Sequence, residues 1–222
     1  MLFETLIELI PELNKAFFET IYMVGISLVV SVIAGLPLGV ILFVTDRGLF
    51  LENTPLKNVI GFVVNMVRSI PFIILLVALL PLTNLITGTT IGPTAASVSL
   101  SVAAIPFFAR LVETSLREID KGVIEAAVSV GASPWMIIKD VLIPEARHGI
   151  IQGITITTIS LIAYSAMAGI VGGGGIGDLA IRFGYYRYDN TVMITTVVIL
   201  ICLVQLIQYG GDFIARVANK RS

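Results

Sequence analysis

Residues 21–44 read IYMVGISLVVSVIAGLPLGVILFV, 24 positions without a charge. A helix crosses the roughly 30 Å hydrocarbon layer in about 20 apolar residues, at about 1.5 Å each, so this run is long enough to span. Its interruptions, Gly25, Gly35, Pro37 and Gly39, are of a kind that membrane helices tolerate. Downstream, Ser69 to Ala109 is also uncharged and is too long for one crossing. Pro81, Thr83, Asn84, the Thr87-Gly88-Thr89-Thr90 cluster and Gly92-Pro93 divide it into a second and a third span. Further apolar runs at 150–170 and 191–211 supply the fourth and fifth. The runs predict an all-α membrane protein with five transmembrane helices per chain, without a soluble domain or an internal repeat.

Composition points the same way. The chain is 56% hydrophobic and 13% charged, with a mean hydropathy of +0.98, far from the balance of a water-soluble domain. A net charge of −1 leaves no nucleic-acid footprint. A single cysteine, Cys202, excludes an intrachain disulfide and sits where lipid or a neighbouring helix packs. Residues 1–20 carry four glutamates and one lysine, the reverse of a cationic signal-peptide start, and read as mature sequence.

Orientation follows from Lys and Arg, which collect on cytoplasmic loops. With five alternating spans, eleven of them, including Arg68, fall on the side of the 46–57 loop, the 110–147 loop and the C-terminal tail; Lys15, Arg182 and Arg187 fall on the other. The expected layout is an extracytoplasmic segment at 1–15, a transmembrane domain at 16–213 and a cytoplasmic tail at 214–222.

The loop between spans three and four, 37 residues from Arg110 to Ala146, exceeds what a simple reversal needs, and long ordered loops usually have a task. Asp120 is placed to cap a helix through Val123, Ile124, Ala126, Ala127 and Val130, and Gly131 to end it in the left-handed conformation. Ser133-Pro134 is a second start signal, leading into Trp135-Met136-Ile137-Ile138, and Pro144 is expected to end that helix. Two short helices with no core of their own would bury their apolar side chains against a partner protein.

Within this loop, Glu125-Ala126-Ala127, three residues, Gly131, nine residues, then Val141-Leu142-Ile143-Pro144 resembles the EAA loop of bacterial ABC importer permeases. The sequence departs from that pattern only at Val141 and Ile143, both conservative. The resemblance implies a type I ABC importer permease fold whose coupling helix, at about 118–144, docks on an ATP-hydrolysing subunit through Glu125, Ala126, Ala127, Gly131 and Pro144. Three further stretches resemble the methionine-uptake branch: Arg68 to Leu76, Tyr164 to Gly169, and Gly172-Gly173-Gly174-Gly175-Ile176-Gly177-Asp178 through Gly184-Tyr185. That branch implies a homodimer in the bacterial plasma membrane with two ATP-binding subunits and an extracytoplasmic binding protein that delivers methionine. The alternatives are another small amino acid, an ion-coupled secondary transporter or channel, or a membrane scaffold. Spans nearly devoid of Asp and Glu argue against the ion-coupled class.

Gly172–Gly175 lacks the Lys-Ser/Thr of a nucleotide-binding loop, so it reads as a tight turn or gating hinge and ATP is expected on a partner, with no cofactor in this chain. The single histidine, His148, has no partner set for a metal or a triad and reads as a polar residue at the membrane surface. Arg68 near the start of span two is placed to snorkel to the headgroups or bond between subunits, with substrate contact the alternative, and Pro71 to loosen the helix as a moving part. Tyr164, Ser165 and Met167 are candidates for the translocation path, where a ring and a soft thioether suit a methionine side chain; helix packing is the plainer alternative.

Overall fold

Helices account for all the regular structure in the computed structural model, which describes residues 2–218, with side chains described from Leu9 onward. Helix α1 (Leu2–Val44) is continuous over 43 residues, about 64 Å, with Pro11 and Pro37 inside it. The segment expected to precede the first span is thus part of the same helix. Its core-facing side packs along α5 (Pro93–Arg117), the central helix, which is buried on most sides. Small residues make that contact close: Ala104, Ala109 and serines line α5, and a Cβ on Gly39 would lie 2.5 Å from the Ala109 carbonyl oxygen.

The second span differs from expectation. Helix α2 (Thr54–Ser69) stops at Ile70, and α3 (Phe72–Ala78) leaves at 103° to it. Pro71 brings no N–H to the helix, and its ring drives Ile70 into an extended conformation, φ −85° and ψ 126°, so the chain turns rather than merely kinking. Pro81 begins α4 (Leu80–Thr87) instead of breaking a span, and the break falls at Gly88–Gly92. Among the described residues four helices are long and apolar enough to cross a membrane, and the bent α2–α3 pair makes a fifth crossing if it acts as one.

Beyond α5 lies α6 (Lys121–Ser129), then α7 (Pro134–Met136), which runs through a π-helical turn, Ile137–Leu142, into α8 (Ile143–Gly169) without a break. Pro144 therefore does not end the helix. The wider turn lets the Ile143 N–H bond to the Ile138 carbonyl, so the proline sits just past a stretch already out of α register. Helix α9 (Gly175–Leu179) and a second π stretch, Ala180–Tyr185, precede α10 (Asn190–Ala218), the least buried long helix. Three apolar clusters stack along the bundle, around Phe108 and Leu116, around Leu100 and Leu161, and around Ile176 and Val192.

Candidate functional site

At the Asp120 end of the bundle the local chemistry fixes the loop. The Gly122 N–H donates to Asp120 Oδ1 at 2.7 Å, capping α6 as the sequence predicts. Gly131 adopts φ +77°, and the Ala132 N–H returns to the Ala127 carbonyl at 3.2 Å, closing the helix end. The Met136 N–H donates to Ser133 Oγ at 3.4 Å, starting α7.

These helices are not without a core. Ile124, Ile137 and Leu142 are buried against Val44, Phe108 and Leu116, and Ala127 packs on the same cluster. The outward residues are a different set: Glu125 and Ala126 are exposed, as are Val128, Val130, Trp135 and Met136, with Val130 at 83% and Trp135 at 70%. A hairpin anchored by one apolar face and showing another is rigid before any partner arrives.

Beneath α6 lies a set of charges that the sequence reading used only for topology. Glu113, 3% exposed, accepts from Arg110 Nη1 at 2.5 Å and from Arg117 Nη2 at 2.8 Å. Arg117 Nη2 also reaches Asp46 Oδ2 at 2.6 Å, Asp46 pairs with Lys57, and Arg110 Nη2 donates to Asn65 Oδ1 at 2.9 Å. A buried carboxylate survives only when paired, and here the pairing joins the α1–α2 loop, α2 and α5. Partial burial alone would raise the Asp46 carboxyl, but hydrogen bonds from Lys57, Arg117 and the Arg47 N–H outweigh it and hold the group well below the usual carboxylate range. A signal was available in the sequence: Arg110, Glu113 and Arg117 recur at helical spacing.

The candidate path residues separate. Tyr164 is half-buried and stacked on Phe72, with ring centroids 4.6 Å apart and planes at 12°. Ser165 is buried and donates to the Ile162 carbonyl, whereas Met167 is 43% exposed. Arg68 is exposed in the last turn of α2, where the helix dipole favours a cation, and Pro71 begins α3.

The glycine run forms a tight turn. Gly172, Gly174 and Gly175 have φ near +80°, and a Cβ on Gly173 would meet the Ala168 carbonyl oxygen at 2.7 Å. Its free donors are taken by α1: the Gly175 N–H donates to Glu19 Oε2 at 2.8 Å and the Ile176 N–H to Thr20 Oγ1 at 2.9 Å. With these donors occupied, the turn seats α9 on α1 rather than offering a phosphate cradle. His148 is half-buried, its Nδ1–H donating to the Ala215 carbonyl at 2.8 Å and tying α8 to α10.

Comparison with known proteins joins this geometry to a family. Residues 32–222 match the model of the binding-protein-dependent transport system inner membrane component. A probable D-methionine transport system permease, MetI, of Vibrio cholerae is 53% identical over 94% of this chain and 93% of its own length. The methionine import system permease MetP of Bacillus subtilis is 46% identical, with 96% of each chain covered. Among solved structures, a chain of the MetNI methionine ABC transporter in an inward-facing conformation superposes with a TM-score of 0.94 at 46% identity, covering 96% of this chain and 99% of that one. An amino acid ABC transporter with a TM-score of 0.78 at 19% identity shares the fold alone. With a family match over most of its length and relatives near half identical, the chain belongs to the inner membrane components of binding-protein-dependent transport systems.

Proposed function

We propose that this chain is the permease subunit of an ATP-driven methionine importer. The observation that carries the reading is close similarity, over nearly the whole chain, to methionine permeases from two distant bacteria. Two copies form the pathway between them, because one bundle of this size is a thin wall for a solute passage. Each copy is coupled to an ATP-binding subunit, and an extracytoplasmic binding protein delivers methionine. The chain itself binds no cofactor, and ATP acts on the partner. It crosses the bacterial plasma membrane five times, the bent α2–α3 pair counting as one crossing, with the N-terminus outside and the 214–222 tail inside.

The exposed face of α6, with Glu125 and Ala126 outward and Gly131 closing the turn, suits a docking lever. ATP-driven closure of the partners would move α6 and the base of α5 together, switching the cavity between inward and outward access. Arg68 and Pro71 at the α2–α3 bend, and Gly172–Gly175, are placed where hinges would lie. Tyr164 and Met167 remain the path candidates; Ser165 would act through the shape of α8, since its hydroxyl is spent within the helix.

The test is reconstitution with the ATP-hydrolysing subunit and binding protein. ATP-dependent uptake of labelled methionine, competed by unlabelled methionine and not by other small amino acids, is the expected result. Uptake that persists without ATP would point to the ion-coupled alternative.

A further inference from the structure

We propose that the cleft between the α1–α2 loop and α6 is a second docking surface for the ATP-hydrolysing subunit, one that takes an apolar side chain flanked by a carboxylate. The proposal rests on the importer reading above. The cleft measures about 710 Å³, large enough for a protruding side chain with its neighbours. Phe43 and Ile124 form its buried wall, and Phe50 stands half-buried beside them. Arg47 and Lys121 are exposed along its lining, and among the described residues neither is paired with a carboxylate. Of the two acids in the lining, Asp46 is already held by Lys57 and Arg117, so Glu125 alone is set against Arg47 and Lys121 in the charge balance of the cleft. An apolar pocket with excess positive charge fits an acidic and apolar protrusion.

The cleft is also preformed. The Gly48 N–H donates to Glu52 Oε2 at 3.0 Å, the Asn53 N–H reaches the Thr45 carbonyl at 3.0 Å, and Arg117 holds Asp46 from α5. Little ordering is left for binding to demand. The occupant follows from position. The loop wall lies past Val44 and the α6 wall past Arg117, the ends of α1 and α5, so the cleft stands clear of the apolar helix runs that lipid chains or a second copy would cover. Glu125, Val128 and Ser129 line it from α6, making it continuous with the face assigned to the ATP-hydrolysing subunit.

The experiment measures affinity between this permease and its ATP-hydrolysing subunit for the double variant Arg47→Glu, Lys121→Glu. Affinity is expected to fall on the order of tenfold. The unsubstituted pair should also weaken with added salt while the variant does not, a dependence that a loss of folding would not mimic. Both side chains are exposed, so the melting temperature should hold. Unchanged affinity with unchanged salt dependence overturns the proposal, as does a loss of stability confined to vesicles of anionic phospholipid with subunit affinity intact. Ala126→Trp, on α6 outside the cleft, is measured in parallel. If it too leaves the subunit bound, the α6 docking face itself fails, while ATP-dependent uptake tests the importer reading separately; if it releases the subunit while the double variant does not, only the cleft assignment fails.

Discussion

Gly131 and Gly175 both have a positive φ and differ in their surroundings. A Cβ on Gly131 would meet nothing within 4 Å, so Gly131→Ala carries only the left-handed strain, about 1–2 kcal/mol. A Cβ on Gly175 would lie 2.7 Å from Thr20 Oγ1 and 2.8 Å from the Met23 methyl, so Gly175→Ala should lower the melting temperature further than Gly131→Ala. Thermal unfolding of the two variants side by side checks the order; equal losses would mean that α9 does not lean on α1 as described. Glu125→Trp, by contrast, changes an exposed side chain for a bulky uncharged one and should leave stability within about 0.5 kcal/mol while weakening attachment of the ATP-hydrolysing subunit by obstruction. Unaltered attachment and uptake would remove Glu125 from the docking face. The turn at Gly131 was legible because a capped helix followed by glycine carries its own local instruction. The contact at Gly175 was not, because it is made with residues 156 positions earlier in the chain.

Helices were legible where their signals are local, and misread where a proline met tertiary context. Asp120 and Ser133 cap as their sequence predicts. Pro71 and Pro144 are both prolines in apolar helical sequence, yet one turns the chain by 103° and the other is carried inside a continuous helix by a π turn. The packing around each decides which way the lost hydrogen bond is accommodated. The salt-bridged group around Glu113 makes a prediction at this scale. The folded-state value of Asp46 lies below its ordinary value near 3.8, so its stabilising contribution is complete above that pH and is lost as pH falls further. Melting temperature followed from pH 6 downward should therefore drop below about pH 4, and Asp46→Asn should start lower and show a shallower acid loss. Parallel curves for the two proteins would assign the acid sensitivity elsewhere.

The whole molecule is expected to sit with Val130 and Tyr188 on opposite sides of the membrane, since α8 separates the loops that carry them. Single cysteines at these positions in a Cys202→Ser background test this with a membrane-impermeant thiol reagent. Tyr188→Cys should label from outside in intact cells and Val130→Cys only after permeabilisation; labelling of both from one side would exclude the proposed orientation. The sequence by itself determined the class of solvent and the helical architecture, because twenty-residue apolar runs are properties of the chain read in order. It also determined the hairpin of α6 and α7, whose caps and glycine act within a few residues. Only the tertiary structure decided that Ile124, Ile137 and Leu142 have a core beneath them, that Asp46, Glu113 and Arg117 form one ion-paired group, and that the glycine run docks on Glu19 and Thr20. Those contacts join segments far apart in the chain, and their strength comes from burial and exclusion of water, which exist only once the helices have packed.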